Sequence, residues 1–502
     1  MNRRHVLVAC LGLAAGWLVP ARADERNAWP LTVKQVNADG LVTSTQAAGP
    51  LFFSKQLPEG GRASGFRPFY IQRTDAKDRI VESAVLYPLF NYRGDDEGYT
   101  WTVFSLINRS GLRPGASPKL RASNDEKFAV WPFYFSKQTG DPATSYRGLL
   151  PIGGSIKSFF GYDRISWVIF PLYTEVDKNN AHTVLAPWPF LRFTSGAEQG
   201  FAFWPLFGWR DRPGEFKRRY ALWPLIWNHT LYPHDDAPAG TPPTRQVGFI
   251  PFYTREKNAD FVNVNFAWPF FGYTERTAPF HYHETRYFWP FFVQGRGDNR
   301  FVDRKGPFYT HSVIKGYDKT WIGWPFWRQA KWADDKIAQT KTQFLFFFYW
   351  SVEQRSLANP NAAPAEKTHL WPLISAWDNG AGHRQYQVPS PLEVFFPNNE
   401  LVRQTWTPLF ALYRYDQRAP GNVRNSLLWD GITWEHNHAA QTAEFHLGPI
   451  FSVQRQPAEH RIAVGNGLFG AKRLAGERSW KFFWLDFSPK PATVSTADAA
   501  TR

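Results

Sequence analysis

Phe261-Val262-Asn263-Val264-Asn265-Phe266-Ala267-Trp268-Pro269-Phe270-Phe271 is the stretch on which the fold depends. Val262, Val264, Phe266, Trp268 and Phe270 alternate with Asn263, Asn265, Ala267, Pro269 and Phe271, and a period of two marks a β-strand. Val, Phe and Trp are also the residues that a pleated, half-buried surface accepts. Pro269 is the odd one. It has no N–H for a ladder, and central strands avoid it. Taken as one strand, the stretch needs a kink, a bulge or a change of sheet at the proline.

The same pattern recurs along the chain. Trp-Pro occurs nine times, at Trp29, Trp131, Trp188, Trp204, Trp223, Trp268, Trp289, Trp324 and Trp371. Chance predicts about two from 24 Trp and 39 Pro. A looser motif, an apolar or small residue followed by proline and two mostly apolar residues, runs from Pro30 to Pro449. Its spacing is roughly 19 residues, with some gaps near twice that. The long gaps hold proline-less apolar runs at Trp101–Ile107, Phe344–Trp350, Leu392–Phe396 and Leu427–Trp434. Turn signals separate the units, as in Gly161-Tyr162-Asp163, Gly297-Asp298-Asn299 and Gly316-Tyr317-Asp318. Helix signals are nearly absent.

These observations predict an all-β chain, a long antiparallel meander of about 24 strands, each roughly ten residues long. Both faces are apolar around the proline in Phe203-Trp204-Pro205-Leu206-Phe207, so strand centres are expected to be buried on both sides and the tryptophans to pack in the core. A large β-barrel fits best, because its strands have about this length and number. The alternatives are a six-bladed propeller-like or multi-sheet meander and a β-solenoid.

Asn2-Arg3-Arg4-His5, the apolar run Val6–Val19 and Ala21-Arg22-Ala23 form a signal peptide over residues 1–23, with cleavage before Asp24. Arg3-Arg4 also loosely fits a twin-arginine signal, and Leu7-Val8-Ala9-Cys10 a lipoprotein box placed too early in the leader. Residues 24–487 then form a single repetitive domain and 488–502 a disordered tail. Cys10 and Met1 are the only sulfur-bearing residues. The mature chain therefore lacks disulfides, thiolate metal sites, iron–sulfur clusters, attached haem and a cysteine nucleophile. No charge-free apolar stretch reaches the ~18 residues of a spanning helix, whereas a transmembrane barrel gives too weak a signal per strand to be excluded.

Tyr87-Pro88-Leu89-Phe90, Trp204-Pro205-Leu206-Phe207 and Thr407-Pro408-Leu409-Phe410-Ala411-Leu412-Tyr413-Arg414-Tyr415 resemble exported bacterial repeat proteins of unassigned function built from Trp/Tyr-Pro-Leu-Phe strands. The resemblance covers most of the mature chain and implies export, with no activity attached. Trp480–Phe487 is similar, at the level of architecture, to the closing strand of outer-membrane β-barrels.

Glu435-His436-Asn437-His438 places two histidines on one strand face, with Glu444 and His446 on the next strand, a donor set suited to Zn or Cu. A polar strand end facing water explains the same residues, so His436 and His438 are candidates and no metal is assigned. His281-Tyr282-His283-Glu284 has the same spacing, and His234-Asp235-Asp236 lies in a Pro-rich loop. Gly94-Asp95-Asp96-Glu97-Gly98 reads as a hairpin turn rather than a calcium loop, and Gly465-Asn466-Gly467 as a turn rather than a phosphate loop. No nucleophile elbow or acid–base pair emerges. No catalytic residue, cofactor-binding residue or cofactor is assigned, and the residues favour a non-enzymatic role while leaving an enzyme open.

Lys and Arg total 58 against 43 Asp and Glu, a net charge of +15. The cations cluster at strand ends, as in Phe216-Lys217-Arg218-Arg219 and Arg300–Lys305. In an exported chain their partners are anionic lipid, lipopolysaccharide or acidic polysaccharide at the outer membrane, and not nucleic acid. The chain is expected to be a Gram-negative cell-envelope protein, a structural or pore-like outer-membrane barrel. The alternatives are a soluble periplasmic or surface polysaccharide-binding protein and an envelope hydrolase on a propeller scaffold.

Overall fold

A computed structural model describes residues 24–487 apart from 38, 39, 118–124, 235, 236, 239, 475 and 484. The leader expected over 1–23, the tail expected over 488–502 and Asp235-Asp236 lie outside the described residues. The described chain is all β except for two short helices, Glu400–Thr405 and Thr407–Phe410. Its strands are joined as a meander in which neighbours in sequence pair antiparallel. Among the described residues no ladder joins the first strand, Asp24–Ala28, to the last, Leu485–Asp486, so the sheet does not close into a ring. The chain forms two compact units. One comprises the described residues of 1–79, 412–414 and 421–502, and the other 80–411 and 415–420.

Among the described residues there are 46 strands, mostly of five to seven residues, about twice the number expected from the repeat. The proline accounts for the doubling. It lies in a turn and not in the middle of a strand. Phe261–Phe266 and Phe271–Arg276 pair antiparallel, with Phe266 opposite Phe271. Between them the Phe270 N–H donates to the Ala267 carbonyl at 3.0 Å, across a cis Trp268–Pro269 peptide. This is a β-turn of type VI, which carries its cis-proline at the third position. The same four-residue bond closes Leu86–Leu89, Val130–Phe133, Leu222–Leu225 and Phe288–Phe291. Proline-less units reverse differently. At Val103–Leu106 the central residues Phe104 and Ser105 take φ of 49° and 58°, and Leu106 N–H reaches the Val103 carbonyl at 2.9 Å. Two left-handed residues are what a tight hairpin turn of the primed kind requires.

The alternation that identified the strand holds over Phe261–Phe266 and becomes a cross-strand polar ladder on the Asn face. Arg286, buried, sits beneath it. Its guanidinium donates to Asn263 Oδ1 at 2.7 Å, Asn265 Oδ1 at 3.1 Å, Thr274 Oγ1 at 2.8 Å and Glu284 Oε1 at 2.8 Å, and to the Val264 and Tyr273 carbonyls. Side chains two residues apart on three adjacent strands therefore satisfy one another, as burial of polar groups demands.

Burial overturns the expectation for the aromatics. Trp188, Trp204, Trp223, Trp268, Trp289 and Trp324 are all exposed. The buried apolar residues are mostly small or β-branched, such as Ile71, Ala84, Val264, Val293 and Val302, and no described Phe is among them. The reason is positional. A residue in a turn sits at the rim of the sheet, where only neighbouring turns can cover it.

Large rings in the sheet instead lie over glycine. Gly248 stands opposite Trp227, and a Cβ at Gly248 would fall inside the Trp227 indole. Gly208 has the same relation to Tyr220. Gly248→Val is expected to lower unfolding free energy by about 1–3 kcal/mol, the usual cost of overpacking. Urea unfolding measures it, and an unchanged midpoint would show that the ring has room to move aside.

Candidate functional site

Two features have the geometry of a site. The first is an edge. Strand Phe207–Arg212 runs Phe-Gly-Trp-Arg-Asp-Arg away from one prolyl turn, and Phe216–Ala221 runs Phe-Lys-Arg-Arg-Tyr-Ala towards the next. Because each repeat holds two antiparallel strands, the repeat-motif prolyl turns of the larger unit return to one edge, and the Gly/Asp/Asn turns go to the other. Within the larger unit the turns on this edge, prolyl and proline-less alike, are bonded to one another. Ala267 N–H donates to the Phe252 carbonyl at 2.8 Å, Trp289 to Phe270 at 2.7 Å, Trp324 to Pro307 at 2.6 Å, Leu345 to Phe326 at 2.7 Å and Trp371 to Phe348 at 2.7 Å. The turns thus prolong the strand ladder into a continuous rim.

That rim is apolar and uncovered. Phe252 is 63%, Phe308 73%, Trp324 56% and Phe326 54% exposed. Its rings pack sideways, as Phe270 on Phe288 at 5.1 Å and Trp324 against Phe346 at 5.6 Å. Arginines stand one or two residues behind. Arg304 donates to the Pro290 carbonyl of a prolyl turn at 2.9 Å, and Arg328 lies over the Trp321 ring at 5.2 Å. An exposed aromatic band of this extent, backed by cations, is unusual for a surface facing water alone. No described helix is long and apolar enough to cross a membrane.

The second feature is the non-β insert, residues 389–411, in the larger unit. Asn399 caps its first helix, accepting from Val402 N–H at 3.1 Å, and its Nδ2 donates to the Tyr87 hydroxyl at 2.7 Å. Trp406 Nε1 donates to the Tyr87 carbonyl at 2.8 Å. On the other side Trp371 Nε1 donates to the Pro391 carbonyl at 3.1 Å, and Phe395 packs on Phe347 at 5.0 Å. The insert therefore bridges the first hairpin of this unit to its last strands. A cleft of about 740 Å³ opens beside it, lined by residues of both the hairpin and the insert.

Behind the insert is a sealed polar cluster. His369 Nδ1 and Ser375 Oγ are 2.5 Å apart, Ser375 and Ser390 hydroxyls 2.7 Å, and Thr407 Oγ1 donates to Glu393 Oε1 at 3.0 Å. Burial pushes His369 down to about 3, helped by the nearby cations Lys367 and Arg403. Burial also lowers Lys367, to about 8, and raises Glu393. The serine–histidine contact resembles a nucleophile pair only on paper. Ser375 is 0% and His369 1% exposed, so neither meets a substrate, and the cluster is structural.

The sign of its pH effect follows from linkage. His369 is neutral in the fold and protonates near 6.5 when unfolded. Between those values the unfolded chain binds the extra proton, so stability falls as pH drops from about 6.5 towards 3. His369→Gln is expected to flatten that part of the stability–pH curve, as followed by urea titration at several pH values. An unaltered slope would assign the effect elsewhere.

The structure brings His436 and His438 together, with rings 5.0 Å apart. Thr433 and Glu435 pair with His446 and Glu444, which puts Glu444 and His446 on the opposite sheet face from His436. Around His283, Nε2 lies 3.1 Å from Thr285 Oγ1, while Glu284 is engaged by Tyr282 and Arg286. Among the described residues no group of three or more His, Cys, Asp or Glu is arranged to hold a metal ion. Asp95 accepts from the Glu97 and Gly98 N–H groups at 2.8 and 2.7 Å, so that segment is a turn, as is Gly465–Leu468.

Sequence reasoning missed the most buried ionic network. In the smaller unit Arg424 donates to Glu25 Oε2 at 2.8 Å and Asp430 Oδ1 at 2.9 Å, while Asn27 Nδ2 reaches the Asp430 carbonyl at 2.8 Å. Glu25 and Arg424 lie 399 positions apart, and no local pattern links them. No family model matches the chain, and no curated protein matches it.

Proposed function

We propose that the chain is an exported structural protein of the Gram-negative envelope, seated by its prolyl-turn rim on the lipid surface of the outer membrane. The continuous, exposed aromatic rim with arginines behind it carries this reading. Trp and other aromatic rings favour the membrane–water boundary, and Arg stems reach from there to headgroups. Export rests on the leader over residues 1–23 and on the resemblance of the repeats to exported proteins.

Seating favours one face of a bilayer over crossing it. Strands of five to seven residues rise only about 16–24 Å, and a tilted spanning strand needs about 9–11 residues. The pore-like barrel expected from ten-residue strands loses its support with those strands. A turn and its flanking residues reach about 5–10 Å deep, the depth of an interfacial element.

Flotation tests the reading. The mature chain should rise with phosphatidylglycerol or lipopolysaccharide vesicles, less with phosphatidylcholine, and partly remain bound in high salt because the aromatic contribution is not screened. A chain that stays in the bottom fraction with every vesicle would rule it out.

A further inference from the structure

We infer that the cleft beside the insert is a saccharide-binding site, an inference that goes beyond the membrane reading. Its lining combines two things a sugar needs. Aromatic faces meet the apolar C–H faces of a ring, and amides and paired charges meet its hydroxyls.

Part of this lining is held in place. Glu82, Asn91, Arg93 and Thr100 share the sheet face that lines the cleft, while the Tyr92 ring goes to the other face with Arg113. The Tyr87 hydroxyl accepts from Asn399 Nδ2. Phe396 stands 47% exposed at the mouth. Asn91 and Asn398 add amides to the wall. Tyr87 and Asn399 are therefore fixed before a ligand arrives, which reduces the ordering cost of binding.

Charge narrows the ligand class. Arg93 is ion-paired with Glu82 at 2.8 Å, and Glu400 adds a second carboxylate. The lining thus has no surplus of cations, which disfavours phosphate or uronate groups as the anchor. The amides and charges equally disfavour a purely apolar ligand. A neutral hexose or N-acetylhexosamine unit fits both conditions.

Position suggests two sources for that chemistry. Tyr87 belongs to a prolyl turn, and Phe395, next to Phe396, lies 6.4 Å from Trp371 of another. The cleft therefore reaches from the apolar rim into the polar wall. A free oligosaccharide can enter it, and so can the sugar of a glycolipid whose chains stay in the bilayer.

Calorimetry on the mature chain tests this with maltohexaose, N-acetylchitotetraose and deacylated lipopolysaccharide core as free probes, and with vesicles containing intact lipopolysaccharide. Saccharide binding weakened about tenfold by Phe396→Ala and by Asn398→Ala, both at exposed positions, supports the site with a free ligand. Preference for lipopolysaccharide over phosphatidylglycerol vesicles that disappears in both variants supports a glycolipid ligand. Failure of all four probes, or binding that neither variant alters, overturns the inference. Rim variants that no longer float should keep their saccharide affinity, so the two readings fail separately.

Discussion

Changing Phe252, Phe308 and Trp324 together to aspartate should release the chain from anionic vesicles. All three project from the prolyl-turn rim and are more than half exposed in the free chain. Burying one such ring in lipid contributes about 1.5–3 kcal/mol, and a carboxylate in its place is repelled by anionic headgroups. Three sites together amount to at least about 4.5 kcal/mol, or roughly a thousandfold in partitioning. Flotation and surface-binding titrations measure the loss directly. Since the rings are uncovered, thermal unfolding in vesicle-free buffer should barely move. A triple variant that floats as well as the parent chain would mean that the rim is not the membrane contact.

Arg424→Ala should cost about 3–5 kcal/mol of stability, the usual penalty for stranding a buried charge. The guanidinium is 5% exposed and holds two carboxylates, Glu25 and Asp430, that are nearly as deeply buried. Its removal takes the ion-paired cation from both, and the tie of the first strand, Asp24–Ala28, to the turn at Asp430 is reduced to the Asn27 hydrogen bond. A neutral pair, Glu25→Gln with Arg424→Met, should lose less than the single change, because Glu25 is no longer a stranded charge and Asp430 keeps the charge of buried Arg67 nearby. Urea unfolding compares the two. A single variant within 1 kcal/mol of the parent, to the ~10–15% precision of such extrapolations, would show that the network adds little.

The same network has a pH signature. Burial alone would raise Glu25, but Arg424, His446 and the Thr433 hydroxyl outweigh it and hold the carboxyl below its ordinary 4.5. A carboxyl lowered by folding contributes stability above the unfolded value, and that contribution is lost as pH falls through the folded one. Acid unfolding of the smaller unit should therefore steepen below about 4.5, and Arg424→Ala should shift it to higher pH.

Much of the architecture is local and was legible in the residues. The alternation over Phe261–Phe266 is a property of one strand, since side chains point to opposite faces whatever the partner. Short polar turns between such runs leave little choice but antiparallel neighbours, and the meander follows. Even the turn at Asp95 could be recognised, because an aspartate bonds to its own backbone two residues on.

Pro269 shows where local reasoning stops. A kink, a bulge and a turn all remove the same N–H from the ladder, so composition cannot distinguish them. Only the partner strand does, by setting Phe266 opposite Phe271 and turning one expected strand into a hairpin. Burial is decided at the same level. Trp324 is as apolar as Trp350, yet one is 56% and the other 7% exposed, because one stands in a rim turn and the other within the sheet. The sites follow the same rule. His436 and His438 are neighbours in sequence and remain neighbours in space, whereas Glu444 and His446 went to the other face through strand register. Glu25 and Arg424 meet only because the smaller unit gathers an early and a late segment of the chain. Sequence determines what a strand offers on each face; the tertiary structure decides what, if anything, covers it, because covering requires partners that local chemistry does not specify.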